Sequence, residues 1–304
     1  MRKDYLVSIL IDEHTPILVQ GITGREARMF TRQSCDYGAN IVAGVTPGRG
    51  GEDVDGVPVY DTVRQALADH EIGASLVSVP PLAAGDAAFE AVVEGIPLVV
   101  VTTERIPQSH VSRFIEAADE RGVTVVGPNS LGIVVPGRTR IGAAGGSAEQ
   151  ARRWFSPGEV AVLSRSGGMM TEIAAMLTTA GIGQRICVSV GGDAMIGSSF
   201  TDLYRELRND PGVKAIVVFG EPGGVHEEQL AQYLSDEPGG PPVVAFITGR
   251  FADGMPGIRF GHAASMVTGT FGSPARKGEL LMSSGAMVAD RLDEIPRLLK
   301  EVLA

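Results

Sequence analysis

Short apolar runs rich in β-branched residues recur along the first half of the chain, at residues 16–20, 40–45, 75–79, 98–101 and 123–126. None alternates strictly between apolar and polar, the pattern of strands buried on both faces of a parallel sheet. Helix-length stretches separate them. Residues 25–37 end at Gly38 and residues 110–121 at Gly122, each glycine standing where a left-handed C-cap belongs. This order predicts an open, doubly wound α/β unit.

The alternation breaks over residues 136–157, where the run 142–147 consists of glycine, alanine and a terminal serine. It then restarts with strands at 160–163, 186–190, 215–219 and 242–247 and helices at 169–180, 200–208 and 227–234. Two α/β domains in tandem follow, with the boundary near residue 145. Leu292, Ile295, Leu298, Leu299 and Val302 recur at helical spacing, so residues 291–303 form a helix that caps the second domain.

The chain has 304 residues, enough for about two domains with real cores, which excludes disorder and miniature disulfide scaffolds. Its net charge of −10 lacks the basic field needed for non-specific nucleic-acid binding. The two cysteines, Cys35 and Cys187, make neither a disulfide framework nor a zinc cluster and favour a reducing compartment. With no run long enough for a signal h-region or a membrane span, a cytoplasmic location is expected. The 40 glycines lack a period of three and gather at strand ends, consistent with many tight strand-to-helix turns.

The first strand runs into Gly21-Ile22-Thr23-Gly24-Arg25-Glu26 and a helix, a turn that aims backbone N–H groups and a helix dipole at one point, as a phosphate requires. After the second strand, where a dinucleotide site would carry a carboxylate for ribose hydroxyls, Arg49 stands among glycines. A guanidinium there suits a ribose bearing its own phosphate. NADP and coenzyme A both fit that description.

Of the five histidines, His14, His70, His110 and His226 fall in helical or polar segments and read as surface residues. His262 lies between Gly261 and Ala263, beyond the last strand of the second domain, where a reaction partner can approach closely. It is the candidate nucleophile. Ser164-Arg165-Ser166-Gly167-Gly168 opens a helix and suits an anion, and Glu221, among glycines, can fix the ring tautomer of His262.

In chain order, Gln20-Gly21-Ile22-Thr23-Gly24, Gly44 through Gly51, Gly127-Pro128-Asn129, Ser164-Arg165-Ser166-Gly167, Gly191-Gly192-Asp193, Gly220-Glu221-Pro222-Gly223-Gly224 and Gly261-His262-Ala263 resemble the α subunits of succinyl-CoA synthetase and related nucleoside-diphosphate-forming acid–CoA ligases. The run Ser8-Ile9-Leu10-Ile11-Asp12 belongs to the same resemblance. It implies a Rossmann-like CoA-binding domain over residues 1–145 and a flavodoxin-like, doubly wound ligase domain over 146–304. The implied partner is an ATP-grasp β subunit that holds ATP or GTP and Mg²⁺, in an αβ or (αβ)₂ assembly. Thr23, Gly24, Arg25, Glu26, Arg49, Thr102, Thr103 and Glu104 then correspond to CoA contacts. His262 corresponds to the transiently phosphorylated histidine, Glu221 to the residue that orients it, and Ser164, Arg165, Ser166, Gly167 and Gly168 to the phosphate cradle. The resemblance implies a reversible sequence in which nucleotide and acid give an acyl phosphate, His262 takes the phosphoryl group, and the CoA thiolate attacks the acyl carbon.

The pattern departs from the family at several places. Ala27 replaces a glycine, Ser130-Leu131-Gly132 replaces cysteine-proline-glycine, and Gly168-Met169-Met170-Thr171-Glu172 replaces a threonine-leucine segment. Met255 through Arg259 replaces a basic run, and Ala264 replaces a glycine. Thr171 occupies a position associated with the acid, so these changes point to a different dicarboxylate, or to a weakened enzyme retaining CoA binding.

Overall fold

The computed structural model describes residues 10–255, 257–258, 261–262, 265–267 and 271–304. The first sheet is built from β1 (Pro16–Gln20), α1 (Arg25–Tyr37), β2 (Asn40–Val45), β3 (Asp53–Val54), β4 (Val57–Tyr60), α2 (Val63–Asp69), β5 (Ala74–Val77), α3 (Pro81–Val93), β6 (Leu98–Val101), α4 (Gln108–Arg121) and β7 (Thr124–Val126). Its strand order is β3-β4-β2-β1-β5-β6-β7, parallel except for the β3–β4 hairpin. The chain leaves β1 towards β2 and later returns to the other side of β1 as β5. That reversal opens a crevice at the carboxyl ends of β1 and β5, the ligand position of doubly wound folds.

The second half contains β8 (Gly132–Val135), β9 (Thr139–Gly142), α5 (Ala148–Trp154), β10 (Pro157–Ser164), α6 (Gly167–Thr179), β11 (Gln184–Ser189), α7 (Phe200–Leu207), β12 (Ala215–Gly220), α8 (His226–Asp236), β13 (Val243–Ile247), α9 (Pro274–Ser283), β14 (Met287–Val288) and α10 (Ile295–Leu303). The order β14-β13-β12-β10-β11-β8-β9 contains a parallel core with the flavodoxin-like reversal between β10 and β12. The expected doubly wound α/β class is therefore realised twice.

The sheets divide the chain earlier than residue 145. β8 and β9 precede that point, yet β8 pairs antiparallel with β11 and β9 with β8, so both strands belong to the second sheet. Their apolar residues Ile133, Val134, Val135 and Ile141 are buried there. The glycine-rich stretch after them is ordered as well: Ser147 and Gln150 form a capping box that starts α5.

The two halves are packed together. One apolar cluster runs from Ile17 and Val19 through Val126 and Val190 to Val218, while Tyr37 of α1 packs into a cluster dominated by the second half. Of the histidines read as surface residues, only His14 is exposed. His226 opens α8 with Nδ1 buried, and burial pushes its pKa down to about 4. No helix among the described residues is long and apolar enough to cross a membrane.

Candidate active site

The crevice of the first sheet collects the predicted CoA contacts. Gly21 turns the chain out of β1 at φ +82°, and a methyl group there would lie 2.5 Å from the Ser78 carbonyl oxygen, so only glycine lets these loops meet. Gly24 is the N-cap of α1 and supplies no side chain to it. The amides of Arg25, Glu26 and Ala27 consequently have no hydrogen-bond partner among the described residues. Thr23, partly exposed, bonds through its hydroxyl to Thr46 at 3.2 Å, while Arg25 and Glu26 face solvent. Ala27 is buried, so a methyl group is accommodated where the family has glycine.

Arg49 lies on the same edge, in a loop held by Asp61, whose carboxylate accepts the N–H groups of Gly48 at 2.7 Å and Gly50 at 2.9 Å. Its guanidinium donates to Glu52 at 2.7 Å. Such an exposed pair is worth at most about 1 kcal/mol, little obstacle to a phosphate. Thr102 and Thr103 have their hydroxyl protons engaged within the protein. Their hydroxyls donate to the carbonyls of Val77 at 3.0 Å and Val79 at 2.7 Å, so they fasten their loop to the neighbouring one. Glu104 is exposed beside Arg105.

The second crevice, between β10 and β12, gathers the other candidates. His262 lies beyond β13 and the 3-10 turn Arg250–Gly254, and its Nδ1 is 2.7 Å from Oε2 of Glu221. Ser265 donates to the same carboxylate oxygen at 3.1 Å. The Glu221 hydrogen bond is the main cause of a raised His262 pKa, opposed by burial. Burial alone would raise Glu221, but His262, Arg165 and Ser265 together hold it below the ordinary carboxylate range. In the neutral ring, donation from Nδ1 to this carboxylate leaves the lone pair on Nε2.

A methyl group on Gly192 would lie 2.7 Å from Cδ2 and 2.8 Å from Nε2 of His262, so the imidazole rests against a bare backbone. Gly192→Val should therefore displace the ring, lowering the rate of His262 modification about 10- to 100-fold while CoA affinity, measured calorimetrically, stays within about twofold.

Within the predicted cradle the roles divide. Ser164 is buried, donating to the Ser166 carbonyl at 2.6 Å and accepting its N–H at 3.1 Å, so it shapes the turn. Ser166 caps α6, leaving the amides of Gly167 and Gly168 without a partner among the described residues. Arg165 is 3% exposed and donates to the Asp193 carbonyl at 3.0 Å. Burial lowers its pKa, while Glu227, Glu221 and Asp193 favour its charge. Thr171 turns its hydroxyl back to the Gly167 carbonyl at 3.3 Å. Arg259, Ala263 and Ala264, like Ser8, Ile9 and Pro256, lie outside the described residues.

Asn129 is the residue that sequence reasoning undervalued. At φ +57°, it donates its N–H to the Thr103 carbonyl, accepts the Gly192 N–H at its own carbonyl, and donates its carboxamide N–H to Asp193 at 3.1 Å. One residue thus links the loop of Thr103 to the loop on which His262 rests. Its signal was the Gly127-Pro128-Asn129 motif at the junction of the sheets.

Residues 12–105 match a family model described as CoA binding domain, and residues 163–286 one described as CoA-ligase. The succinate–CoA ligase [ADP-forming] subunit alpha of Methanothermobacter thermautotrophicus is 43% identical over 95% of this chain and 96% of its own length. The chain belongs to the family of ADP-forming succinate–CoA ligase α subunits. Within this acid–CoA ligase family, an ADP-forming sulfoacetate–CoA ligase subunit from Acholeplasma sp is 38% identical over 97% of this chain and 98% of its own. Among solved structures, ATP citrate lyase from Methanothrix soehngenii in complex with citrate and coenzyme A is 26% identical with a TM-score of 0.88. That likeness covers 97% of this chain, which spans about half, 51%, of the larger protein.

Proposed function

We propose that this α subunit binds CoA on the edge formed by Thr23 to Glu26, Arg49 and Thr102 to Glu104, and that His262 relays a phosphoryl group for thioester synthesis. The observation that carries the reading is the His262–Glu221 pair, placed against the loop that Asn129 joins to the CoA side. Nε2 attacks the terminal phosphorus of a nucleoside triphosphate held by an ATP-grasp β subunit, and the P–O bond to the diphosphate breaks. A carboxylate oxygen of the acid then takes the phosphoryl group, regenerating the imidazole. The CoA thiolate attacks the acyl carbon of that acyl phosphate and inorganic phosphate departs. Every step is reversible.

The protein supplies position and charge for these transfers. Gly167 and Gly168 direct the unpaired amides of α6 to the phosphoryl oxygens, as the N-terminus of a 13-residue helix suits an anion. Mg²⁺, held beside the nucleotide on the partner, contributes charge neutralisation. The acid is inferred to be small and to carry a second anionic group, as do succinate and sulfoacetate, the acids in the relatives' names. Thr171 is inferred to face it from the first turns of α6. Assembly as αβ or (αβ)₂ in the cytoplasm completes the reading. The intact His262–Glu221 pair favours turnover over a CoA-binding module that has lost it.

Calorimetric titration with CoA, 3′-dephospho-CoA and NADP⁺ tests the nucleotide assignment. CoA is expected to bind preferentially, with affinity falling about 10-fold on loss of the 3′-phosphate or in Arg49→Ala, the size of one charge-assisted contact. Preference for NADP⁺, or indifference of CoA binding to Arg49, would refute it.

A further inference from the structure

Lys277, in α9, has a side chain with no exposed surface, and its ammonium group places all three protons. Nζ donates to the carbonyl of Glu221 at 2.8 Å, to that of Gly223 at 2.5 Å, and to Oε2 of Glu227 at 2.5 Å. Glu227, 1% exposed in the first turn of α8, uses its other oxygen to accept the N–H of Glu221 at 3.1 Å. These two side chains therefore hold both backbone polar groups of the residue whose carboxylate meets His262.

Removing two charges from water is costly, and apolar replacements of a buried ion pair are often as stable or more so. Stability alone gives little reason for this pair. The segment it grips, Glu221 to Gly224, contains two glycines and lies between β12 and α8 with no regular structure to fix it. A carboxylate that must stay within hydrogen-bond reach of a ring nitrogen cannot rely on so pliable a backbone.

We propose that Lys277 and Glu227 are positioning residues that hold the Glu221 carboxylate in register with Nδ1 of His262. The consequence for phosphoryl transfer rests on the functional reading above, whereas the effect on the imidazole does not. Glu221, Ser265, Arg165 and Asp193 are the polar groups that face or act on His262, and neither Lys277 nor Glu227 touches it.

The test is NMR titration of His262 in the full chain carrying ¹⁵N-labelled histidine. Loss of a nearby positive charge would by itself raise the pKa of an imidazole; release of Glu221 would lower it. Lys277→Met is expected to lower the His262 pKa by about one unit and to mix the two neutral tautomers. An unchanged or raised pKa would overturn the proposal.

If Lys277→Met does not fold, Glu227→Gln is compared with Glu228→Gln. Both remove one carboxylate beside Lys277, but the Glu228 oxygen lies 4.0 Å from Nζ and makes no bond to Glu221. Glu227→Gln is expected to shift His262 by at least about half a unit more than Glu228→Gln. Equal shifts would overturn the assignment. In the complex with the β subunit, Glu227→Gln should slow His262 phosphorylation about 10-fold at unchanged nucleotide KM. Failure of the wild-type complex to phosphorylate would instead count against the functional reading, leaving the NMR result to decide the positioning role.

Discussion

His262→Asn should abolish acid-labile phosphate incorporation and lower thioester formation by at least about 10³-fold when the chain is supplied with its β subunit, ATP, acid and CoA. The carboxamide of asparagine has no nitrogen lone pair able to attack phosphorus, whereas Nε2 of His262 has one, because Nδ1 is the atom engaged with Glu221. CoA affinity should remain within about twofold, since the predicted CoA contacts belong to the other sheet and the loss concerns a reacting group. Radiolabelled ATP, followed by acid treatment and by base treatment of the isolated subunit, checks the bond type directly. Label that persists in the variant would remove His262 from the mechanism.

Glu221→Gln is the second large effect, with turnover falling about 10²- to 10³-fold. Gln presents either an amide oxygen or an amide N–H to Nδ1 and lacks the charge that stabilises an imidazolium, so the ring loses its preferred tautomer and its basicity. The sign of the pH effect follows. Glu221 is the main reason that the His262 pKa is raised, and the neutral ring is the nucleophile. The acid limb of the wild-type rate profile therefore lies above the ordinary imidazole value of about 6.5, and in Glu221→Gln it moves to lower pH while the plateau falls. For folding the linkage runs the other way. The contribution of His262 is full below about pH 6.5 and is lost as pH rises through its raised folded value. That of Glu221, whose pKa is lowered, is present above about pH 4.3 and is lost as pH falls through its folded value. A rate profile that keeps its acid limb in place in Glu221→Gln would break the assignment.

Most elements of the second sheet and, in the first, the parallel strands β1, β2, β5, β6 and β7 were legible as apolar runs, because burial on both faces removes polar alternation, whereas the short parallel strand β4 was not. The hairpin of β8 and β9 was not. Its residues precede the glycine-rich stretch and look like an interdomain break, while their partner, β11, lies some fifty residues further on. Pairing between strands that distant is decided by the sheet edge available, which no local pattern records. Histidine exposure was misjudged for the same reason: His226 looks polar in sequence, yet at the start of α8 it is half-buried with its Nδ1 out of contact with solvent.

The candidate site divides along this line. Residue types and their order determined the chemistry: a glycine turn before a helix, an arginine where a dinucleotide site has a carboxylate, a histidine among small residues, and a glutamate among glycines. Tertiary structure alone decided which atoms meet. It brought Glu221 and His262 together across 41 positions, spent the hydroxyls of Thr102 and Thr103 on neighbouring backbone, joined the two crevices through Asn129, and placed Lys277 behind Glu221 from 56 positions away. A chain specifies local preference through short-range sterics and burial pattern. Distant polar groups find one another only after the cores have packed and water has been excluded, when each buried donor must have an acceptor.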